Sequence, residues 1–322
     1  MDHPGALDRL RQTLAGFAAE HLPAARSWCV GLSGGPDSLA LTAAAAPILP
    51  TTALIVDHGL QRDSAAVAET ARARAHDLGC VEARVLRVEV GTAGGPEAAA
   101  RSARYVALDS ARAGSPVLLG HTLDDQAETV LLGLGRGSGP RSIAGMCAAD
   151  EPWFRPMLGV RRTQTRAACA ELGLQPWDDP HNSDRRFTRV RLRTEVLPLL
   201  EDVLGGGVAE ALARTAAALR EDTDVLDSQA EQQLRAARSG PGGGLSAADV
   251  ADLPAALRRR VLRGWLLAGG ASGLTDTQIR AVDDLITRWR GQGGVAVGCD
   301  RPRTRLFAQR RDGMLTLRPE PV

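Results

Sequence analysis

Lysine is absent from this sequence: all 39 basic residues among the 322 are arginines. A chain without lysine cannot build the lysine-containing phosphate loop of the P-loop nucleotidases. It also cannot hold pyridoxal phosphate or a carbonyl substrate as a Schiff base. Aromatic residues make up only 3% of the chain, which disfavours a protein that binds nucleic acid through rows of stacked rings.

Cysteines and long apolar runs are also scarce. The five cysteines are scattered, and no two of them form a CxxC pair. A disulfide framework and a cysteine-rich zinc site are therefore disfavoured. No apolar run reaches the roughly 18 residues of a membrane span, and the first residues carry charges where a signal peptide needs an apolar core. We expect a cytoplasmic protein with reduced thiols and no membrane partner.

The first 200 residues alternate short apolar runs with longer amphipathic stretches. Strands are predicted at 28–32, 52–56, 83–90 and 116–120, and helices at 5–21, 37–46, 63–79, 96–113, 123–135 and 163–173. Strands separated by helices of this length are typical of βαβ units. The pattern predicts an α/β fold with a doubly wound, mostly parallel sheet of the Rossmann-like kind.

Glycine-rich breaks mark a second part of the chain. Three glycines at 205–207 and a Gly/Pro-rich stretch at 239–244 flank a predicted helix over 208–237. Two further helices are predicted over 246–268 and 275–290, and a hairpin that turns at Asp312 and Gly313. We therefore predict a catalytic domain over 1–205, followed over 206–322 by a linker helix and a smaller, mixed, mainly helical domain.

The segment that follows the first predicted strand has the composition of a phosphate-binding turn. It reads Ser33-Gly34-Gly35-Pro36-Asp37-Ser38 and opens a predicted helix. Glycine lets the backbone approach an anion, proline suits the first helical position, and a helix N-terminus attracts negative charge. Asp37 is electrostatically unfavourable beside phosphates unless a cation is shared with them, so we expect Asp37 to hold Mg²⁺.

Several later motifs occur together with this loop in one order along the chain. They occupy 56–62, 97–105, 119–129, 135–139, 155–158, 177–182, 188–193 and 197–200. The loop itself resembles the SGGxDS loop of the N-type ATP pyrophosphatases, the PP-loop superfamily. Together, the motifs over 28–200 resemble the shorter form of the tRNA(Ile)-lysidine synthetases. Thr122 stands where that family often has a second histidine, and Val190 where it often has asparagine.

The resemblance implies a two-step reaction that uses ATP and Mg²⁺. ATP adenylates the C2 oxygen of the wobble cytidine in a CAU-anticodon tRNA(Ile) and releases pyrophosphate. Free L-lysine then displaces AMP and leaves lysidine. The partners it implies are tRNA(Ile) and lysine, and a homodimer is left open.

The lysine substrate, with its two ammonium groups, needs acidic partners. Asp125 and Glu128 lie three residues apart on a predicted helix and share one face of it. His121 is a candidate base or orienting group. Arg191, and equally Arg193, could meet the lysine carboxylate or a tRNA phosphate. The alternative for each arginine is a pair with Glu195 or an exposed position.

Two other functions compete with this interpretation. A PP-loop tRNA thiolase would need persulfide or cluster cysteines, and the five cysteines here are scattered. A non-catalytic nucleotide- or tRNA-binding module would keep the glycine turn without needing Asp37, Asp125 and Glu128 together. The presence of all three acids favours an enzyme.

Charge is unevenly distributed, although the formal net charge is only +1. Residues 201–253 contain ten acids and four arginines, whereas residues 254–322 contain thirteen arginines and six acids. Four of those arginines lie at 258, 259, 260 and 263 on one predicted helix, and Arg310 and Arg311 flank the hairpin turn. This segregation predicts that the C-terminal domain contacts the backbone of tRNA.

Overall fold

The computed structural model of the chain describes residues 4–59, 63–91, 95–137, 139–179, 184–239, 243–299 and 303–321. The fold divides into two compact units. The first comprises Met1–Leu131 and Gly145–Arg214, and the second Leu132–Ala144 and Thr215–Val322. The domain boundary at 205/206 stays a prediction. The two compact units do not divide at that position: residues 206–214 belong to the first unit, and residues 132–144 belong to the second.

A six-stranded sheet forms the centre of the first unit. Its strands are β1 (Trp28–Gly31), β2 (Thr51–Asp57), β3 (Glu82–Arg87), β4 (Val117–Leu119), β5 (Ala149–Asp150) and β6 (Trp153–Phe154). The spatial order is β3-β2-β1-β4-β6-β5, and every neighbouring pair is parallel except β5 with β6. The predicted mostly parallel sheet is confirmed. Its order reverses between β1 and β4, and ligands of such sheets bind in the crevice at the carboxyl ends of the strands there.

Helices cover both faces of this sheet. The helices that begin before residue 215 are α1 (Ala6–His21), α2 (Pro36–Ala45), α3 (Ser64–Asp77), α4 (Pro96–Ala111), α5 (Leu123–Arg136), α6 (Pro140–Ile143), α7 (Arg162–Glu171), α8 (Thr188–Arg191), α9 (Leu197–Val203) and α10 (Val208–Ala237). Alternate residues of β1 point to opposite faces: Val30 packs in a core with α1, α2, α3 and α7, and Cys29 packs with Leu108 of α4. This double cover explains why the central strands β1 and β4 are apolar and buried along their whole length.

The second unit contains a five-stranded antiparallel sheet and three further helices. The strands are β7 (Arg238–Ser239), β8 (Gly244–Ser246), β9 (Val295–Val297), β10 (Thr304–Arg311) and β11 (Met314–Pro321), and the helices are α11 (Ala247–Ala251), α12 (Ala255–Ala268) and α13 (Asp276–Thr287). The hairpin predicted at Asp312 and Gly313 is confirmed, and both residues have positive φ. The single helix predicted over 246–268 is wrong, because Pro254 cannot continue a helix and separates α11 from α12.

None of the helices in the described ranges combines the length and the apolar character that a membrane span requires.

Candidate active site

The glycine loop joins the end of β1 to the start of α2. Gly34 has φ of 83°, which favours glycine, and Gly35 caps a helix whose first residue is Pro36. The Ser38 hydroxyl accepts a hydrogen bond from the Ser33 N–H at 3.2 Å and donates one to the Gly35 carbonyl at 3.0 Å. These bonds fix the turn, while the first-turn amides of α2 remain available to an anion.

The end of β4 lies directly beside this loop. A Cβ atom added to Gly120 would lie 3.1 Å from the carbonyl oxygen of Asp37, so a side chain here would require the backbone to shift by a few tenths of an ångström. The close contact brings the start of α5 to the same end of the sheet as the glycine loop. The acids at 124, 125 and 128 on α5 therefore lie near Asp37, although some 90 residues separate them in sequence.

Arg162, the first residue of α7, links the acids of the two segments. Its guanidinium lies 3.3 Å from Asp37 (Nε to Oδ2), 2.5 Å from Asp125 (Nη2 to Oδ1) and 3.4 Å from Glu128 (Nη1 to Oε1). Its backbone N–H donates to Asp124 Oδ2 at 2.7 Å. Arg162 is not among the site residues that the sequence motifs predict. The available signal was its position immediately before a predicted helix.

Arg193, and not Arg191, reaches this cluster. Its guanidinium donates to both carboxylate oxygens of Glu128, at 2.8 and 3.2 Å. The Glu128 side chain is 0% exposed, so the charges of Arg162 and Arg193, and not water, stabilise its carboxylate. The structure does not bring Arg191 to Asp125 or Glu128, because its guanidinium bonds Glu195 one turn away. A catalytic role for Arg191 stays a prediction.

Arg191 lies just before a widened helical turn, and Arg193 lies within it. Residues Leu192–Val196 form a π-helical turn between α8 and α9. Pro198, just beyond it, lacks the N–H that would bond the carbonyl of Thr194, and its ring would crowd that carbonyl in an α-helix. A widened turn relieves this conflict, and such turns are frequent at functional sites.

Burial and charge act against each other on the pKa values of the cluster, with a different outcome at each residue. Burial raises the pKa of Asp37, although hydrogen bonds from Thr165 and the Arg162 charge oppose the rise. Burial also disfavours ionised Asp125, but Arg162 and the Thr122 N–H hold the pKa of Asp125 below its usual value. The carboxylates outweigh burial at Arg162 and raise its pKa, so its guanidinium stays charged.

His121 lies at the end of β4 in a buried, cation-rich setting. Burial, followed by the charges of Arg104 and Arg155, lowers the pKa of His121 to about 3, against the attraction of Asp125. Its Nδ1 atom is buried and has no hydrogen-bond partner among the described residues. His121 is therefore neutral near pH 7 and can accept a hydrogen bond, although its lowered pKa makes it a weak base.

The lowered pKa of His121 predicts how acid affects stability. An unfolded histidine titrates near 6.5, whereas His121 in the fold stays neutral down to about pH 3. Below pH 6.5 the unfolded state binds a proton that the native state does not, so stability falls as pH falls. The free energy of unfolding of the unmodified protein should drop relative to His121→Gln by up to about 1.4 kcal/mol per pH unit below 6.5. Urea unfolding at pH 7, 6 and 5 measures this difference; equal pH slopes would contradict it.

A cleft of about 270 Å³ opens beside the glycine loop. Its lining includes Ser33, the end of β2 from Leu54 to His58, Arg104 and Trp177. The Asp57 carboxylate accepts from the Gly59 N–H at 3.0 Å, which, with help from Ser64, lowers the pKa of Asp57. Several quoted motif residues lie outside the described part of the chain, at 60–62, 138 and 180–182.

Asp37 fits a magnesium ion that arrives with nucleotide phosphates. Among the described residues, no group of three or more His, Cys, Asp or Glu side chains could hold a metal ion by itself. Mg²⁺ commonly binds through one or two carboxylates plus substrate phosphates. Asp37, at the first turn of α2 beside the phosphate-type loop, offers one such carboxylate.

In the second unit, several arginines that the charge pattern suggested for tRNA contact are engaged internally. Arg258 forms a buried pair with Asp283, which Arg259 also contacts at 3.2 Å, and Arg260 pairs with Asp227 at 3.0 Å. The suggestion is wrong for Arg258, which is buried. Exposed arginines occur elsewhere, around Trp289.

Trp289 is exposed in an arginine-rich part of the second unit. Arg310 lies 5.4 Å from its ring centroid. Arg288, Arg290 and Arg311 are exposed beside these two residues in sequence. We call Arg288, Trp289, Arg290, Arg310 and Arg311 the Trp289 rim.

Comparisons with known proteins agree with this geometry. The PP-loop domain family matches residues 7–200, and the TilS substrate binding domain matches residues 245–315. The fold is similar to that of the U34-tRNA thiolase NcsA from Methanococcus maripaludis, with a TM-score of 0.55 and 16% identity over 67% of this chain and 80% of that one. Such low identity reports the fold alone and does not revive the thiolase alternative.

Similarity to curated relatives extends over the whole chain. It is 70% identical to the tRNA(Ile)-lysidine synthase of Mycolicibacterium paratuberculosis and 64% identical to that of Mycobacterium leprae, in both cases over 100% of each chain. The matched length includes the glycine loop, the acidic cluster and the second unit. The chain belongs to the tRNA(Ile)-lysidine synthase family.

Proposed function

We propose that this chain joins free lysine to the C2 position of the wobble cytidine in a CAU-anticodon tRNA(Ile), in the cytoplasm and at the expense of ATP. The cytidine O2 attacks the α-phosphorus of ATP, and pyrophosphate leaves. An amine of lysine then attacks C2, loses a proton, and displaces AMP. The observation that carries the proposal is the meeting of the glycine loop and the Asp125–Glu128 pair at one sheet edge, in a chain of this family.

The glycine loop and the adjacent cleft suit ATP. The loop Ser33–Ser38 would hold phosphate oxygens through backbone N–H groups and the two serine hydroxyls. The cleft near His58 and Trp177 is of a size and position to take the adenosine. Asp37 would hold Mg²⁺, which supplies charge neutralisation at the phosphates when bound.

The acidic pair on α5 suits the second substrate. Asp125 is half-buried and Glu128 is fully buried, and carboxylates of this kind can bind an ammonium ion through charge-assisted hydrogen bonds. Neutral His121, whose lowered pKa makes it a weak base, would accept a hydrogen bond from the attacking amine and orient it, the second of its two predicted roles. Arg193 would orient Glu128 and would also meet the carboxylate of the lysine substrate.

Nucleoside analysis tests the proposed reaction directly. The full chain is incubated with ATP, labelled lysine and either tRNA(Ile) with a CAU anticodon or tRNA(Met), which shares that anticodon. The label should appear in a modified cytidine of tRNA(Ile) only, with one AMP and one pyrophosphate per lysine. Release of AMP without label in tRNA, or incorporation of sulfur in place of lysine, would refute the proposal.

We assign tRNA contact in the second unit to the Trp289 rim. It combines exposed guanidinium groups with an aromatic ring, and it lies within the segment that matches the substrate binding domain. Contacts of arginine with phosphate release counterions, so the affinity for tRNA should depend steeply on salt.

Removing charge from the rim should weaken tRNA binding. The variant Arg288→Gln/Arg290→Gln/Arg311→Gln should lower the affinity for tRNA and flatten the log–log salt slope by about 0.7–0.9 for each phosphate that the rim no longer neutralises. Filter binding between 50 and 200 mM salt measures both. Arg280→Gln, which removes an exposed arginine paired with Asp276 on α13, is the matched control. An unchanged salt slope in the triple variant would place the tRNA-binding surface elsewhere.

A further inference from the structure

Each carboxylate oxygen of the proposed amine site is already bonded within the protein. Asp125 Oδ1 contacts Arg162, and Asp125 Oδ2 accepts from the N–H and hydroxyl of Thr122 at 2.8 and 2.9 Å. Glu128 Oε1 contacts Arg193 and Arg162, and Oε2 contacts Arg193. An incoming ammonium group therefore competes for these carboxylates with two guanidinium groups that already pair with them.

The contacts indicate which guanidinium group yields. Arg193 makes a two-point contact with Glu128, a geometry that is hard to replace. Arg162 instead makes one contact with each of three acids, at 2.5 Å with Asp125 and at 3.3 and 3.4 Å with Asp37 and Glu128. Arg162 therefore loses less when any one acid takes another cation.

Arg162 also lies on the border between the two substrate sites. Its Nε contacts Asp37 in the first turn after the glycine loop, whereas its Nη atoms contact the acids of α5. The start of α7 is fixed to the loop segment by hydrogen bonds from Thr165 to Asp37 and from Cys169 to the Pro36 carbonyl. These bonds hold the backbone of α7 beside the glycine loop, while the Arg162 side chain extends from its first residue.

The balance of charge indicates in which direction the Arg162 guanidinium would move when ATP binds. Three carboxylates face two guanidinium groups in this cluster. A triphosphate adds several negative charges next to Arg162, and arginine binds phosphate at two points. A magnesium ion on Asp37 also replaces the contact of Arg162 with that acid. Both changes favour movement of the guanidinium from α5 toward the nucleotide.

We propose that Arg162 is a positioning residue that occupies the amine site of the free enzyme, and that the ATP triphosphate draws it away from Asp125 and Glu128, so that lysine binds after ATP. The inference rests on the lysine-dependent reaction proposed above. By linkage, lysine must strengthen ATP binding by the same factor.

Calorimetric titration of the full chain with lysine tests this coupling. In the unmodified protein, saturation with Mg²⁺ and a non-cleavable α,β-methylene ATP should raise the affinity for lysine by about tenfold or more, which is within the usual range of coupling between sites. In Arg162→Gln, lysine should bind the nucleotide-free protein about as tightly as the nucleotide-loaded one. Arg161→Gln is the matched control, because Arg161 contacts Asp124, Glu201 and Glu210 instead; it should retain the coupling.

The outcomes separate this inference from the proposed function. Full coupling in Arg162→Gln, or no coupling in an unmodified protein that does bind lysine, overturns the role of Arg162. Loss of all lysine binding in a folded Arg162→Gln would make Arg162 a lysine ligand and also overturns it. An unmodified protein that binds no lysine under any condition refutes the proposed function itself.

A second measurement does not depend on a variant. If the triphosphate draws Arg162 away, Mg²⁺ with inorganic pyrophosphate should raise the lysine affinity of the unmodified protein, and adenosine should not. A full gain from adenosine alone would mean that the coupling runs through the base and ribose and would overturn the inference.

Discussion

Replacing Asp37 with asparagine should abolish adenylation, reducing the rate by at least about 10³-fold. At about 1.4 kcal/mol per factor of ten, this corresponds to about 4 kcal/mol, the several kcal/mol that a metal ion contributes to charge stabilisation. Asparagine keeps the size of the side chain and can still accept from Thr165, but it removes the charge that attracts Mg²⁺. Production of AMP and ATP–pyrophosphate exchange measure the loss.

The same variant should bind tRNA almost normally, because Asp37 belongs to the proposed ATP site and lies outside the Trp289 rim. Asp8→Asn, which neutralises an exposed acid of α1, is the control for a simple change of net charge and should keep full activity. Normal AMP production by Asp37→Asn would remove Asp37 from the metal site.

The features that the sequence predicted depend on local pattern. The four predicted strands and the helices of the first 200 residues appear in the structure close to their predicted bounds, because periodicity and the flanking glycines and prolines act over a few residues. The short strands β5 and β6, of two residues each, carry too little pattern to be predicted. The geometry of the glycine loop was predictable because Ser33–Ser38 contains the whole turn.

Partner choice over long distances was not predictable. Arg162 meets Asp37 from 125 residues away, and nothing in spacing or charge pairs those two positions. Arg191 and Arg193 are two residues apart and have similar neighbours in sequence, but only Arg193 contacts Glu128. Likewise, the number of arginines in the second unit could not reveal that Arg258 forms a buried ion pair with Asp283. These outcomes depend on tertiary packing.

Glu128→Gln should raise the lysine concentration needed for half-maximal rate by about 10- to 100-fold and change the ATP requirement much less. A hydrogen bond to a charged group contributes about 1.5–3 kcal/mol, and Glu128 is fully buried, so water cannot replace the lost charge. Glutamine preserves the shape but leaves Arg193 with only its longer, 3.7 Å contact to Asp125 as an ion pair. The thermal unfolding of Glu128→Gln must therefore be compared with that of the unmodified protein, to separate a loss of stability from a loss of substrate binding.

Glu210→Gln is the matched control, because Glu210 pairs with Arg161 at 2.7 Å outside the cluster. Initial rates of lysidine formation at saturating tRNA, with lysine and ATP varied in turn, provide the measurement. An unchanged lysine dependence would move Asp125 and Glu128 to a structural or metal-binding role, since a site that binds a cationic amine cannot lose a buried charge without losing affinity.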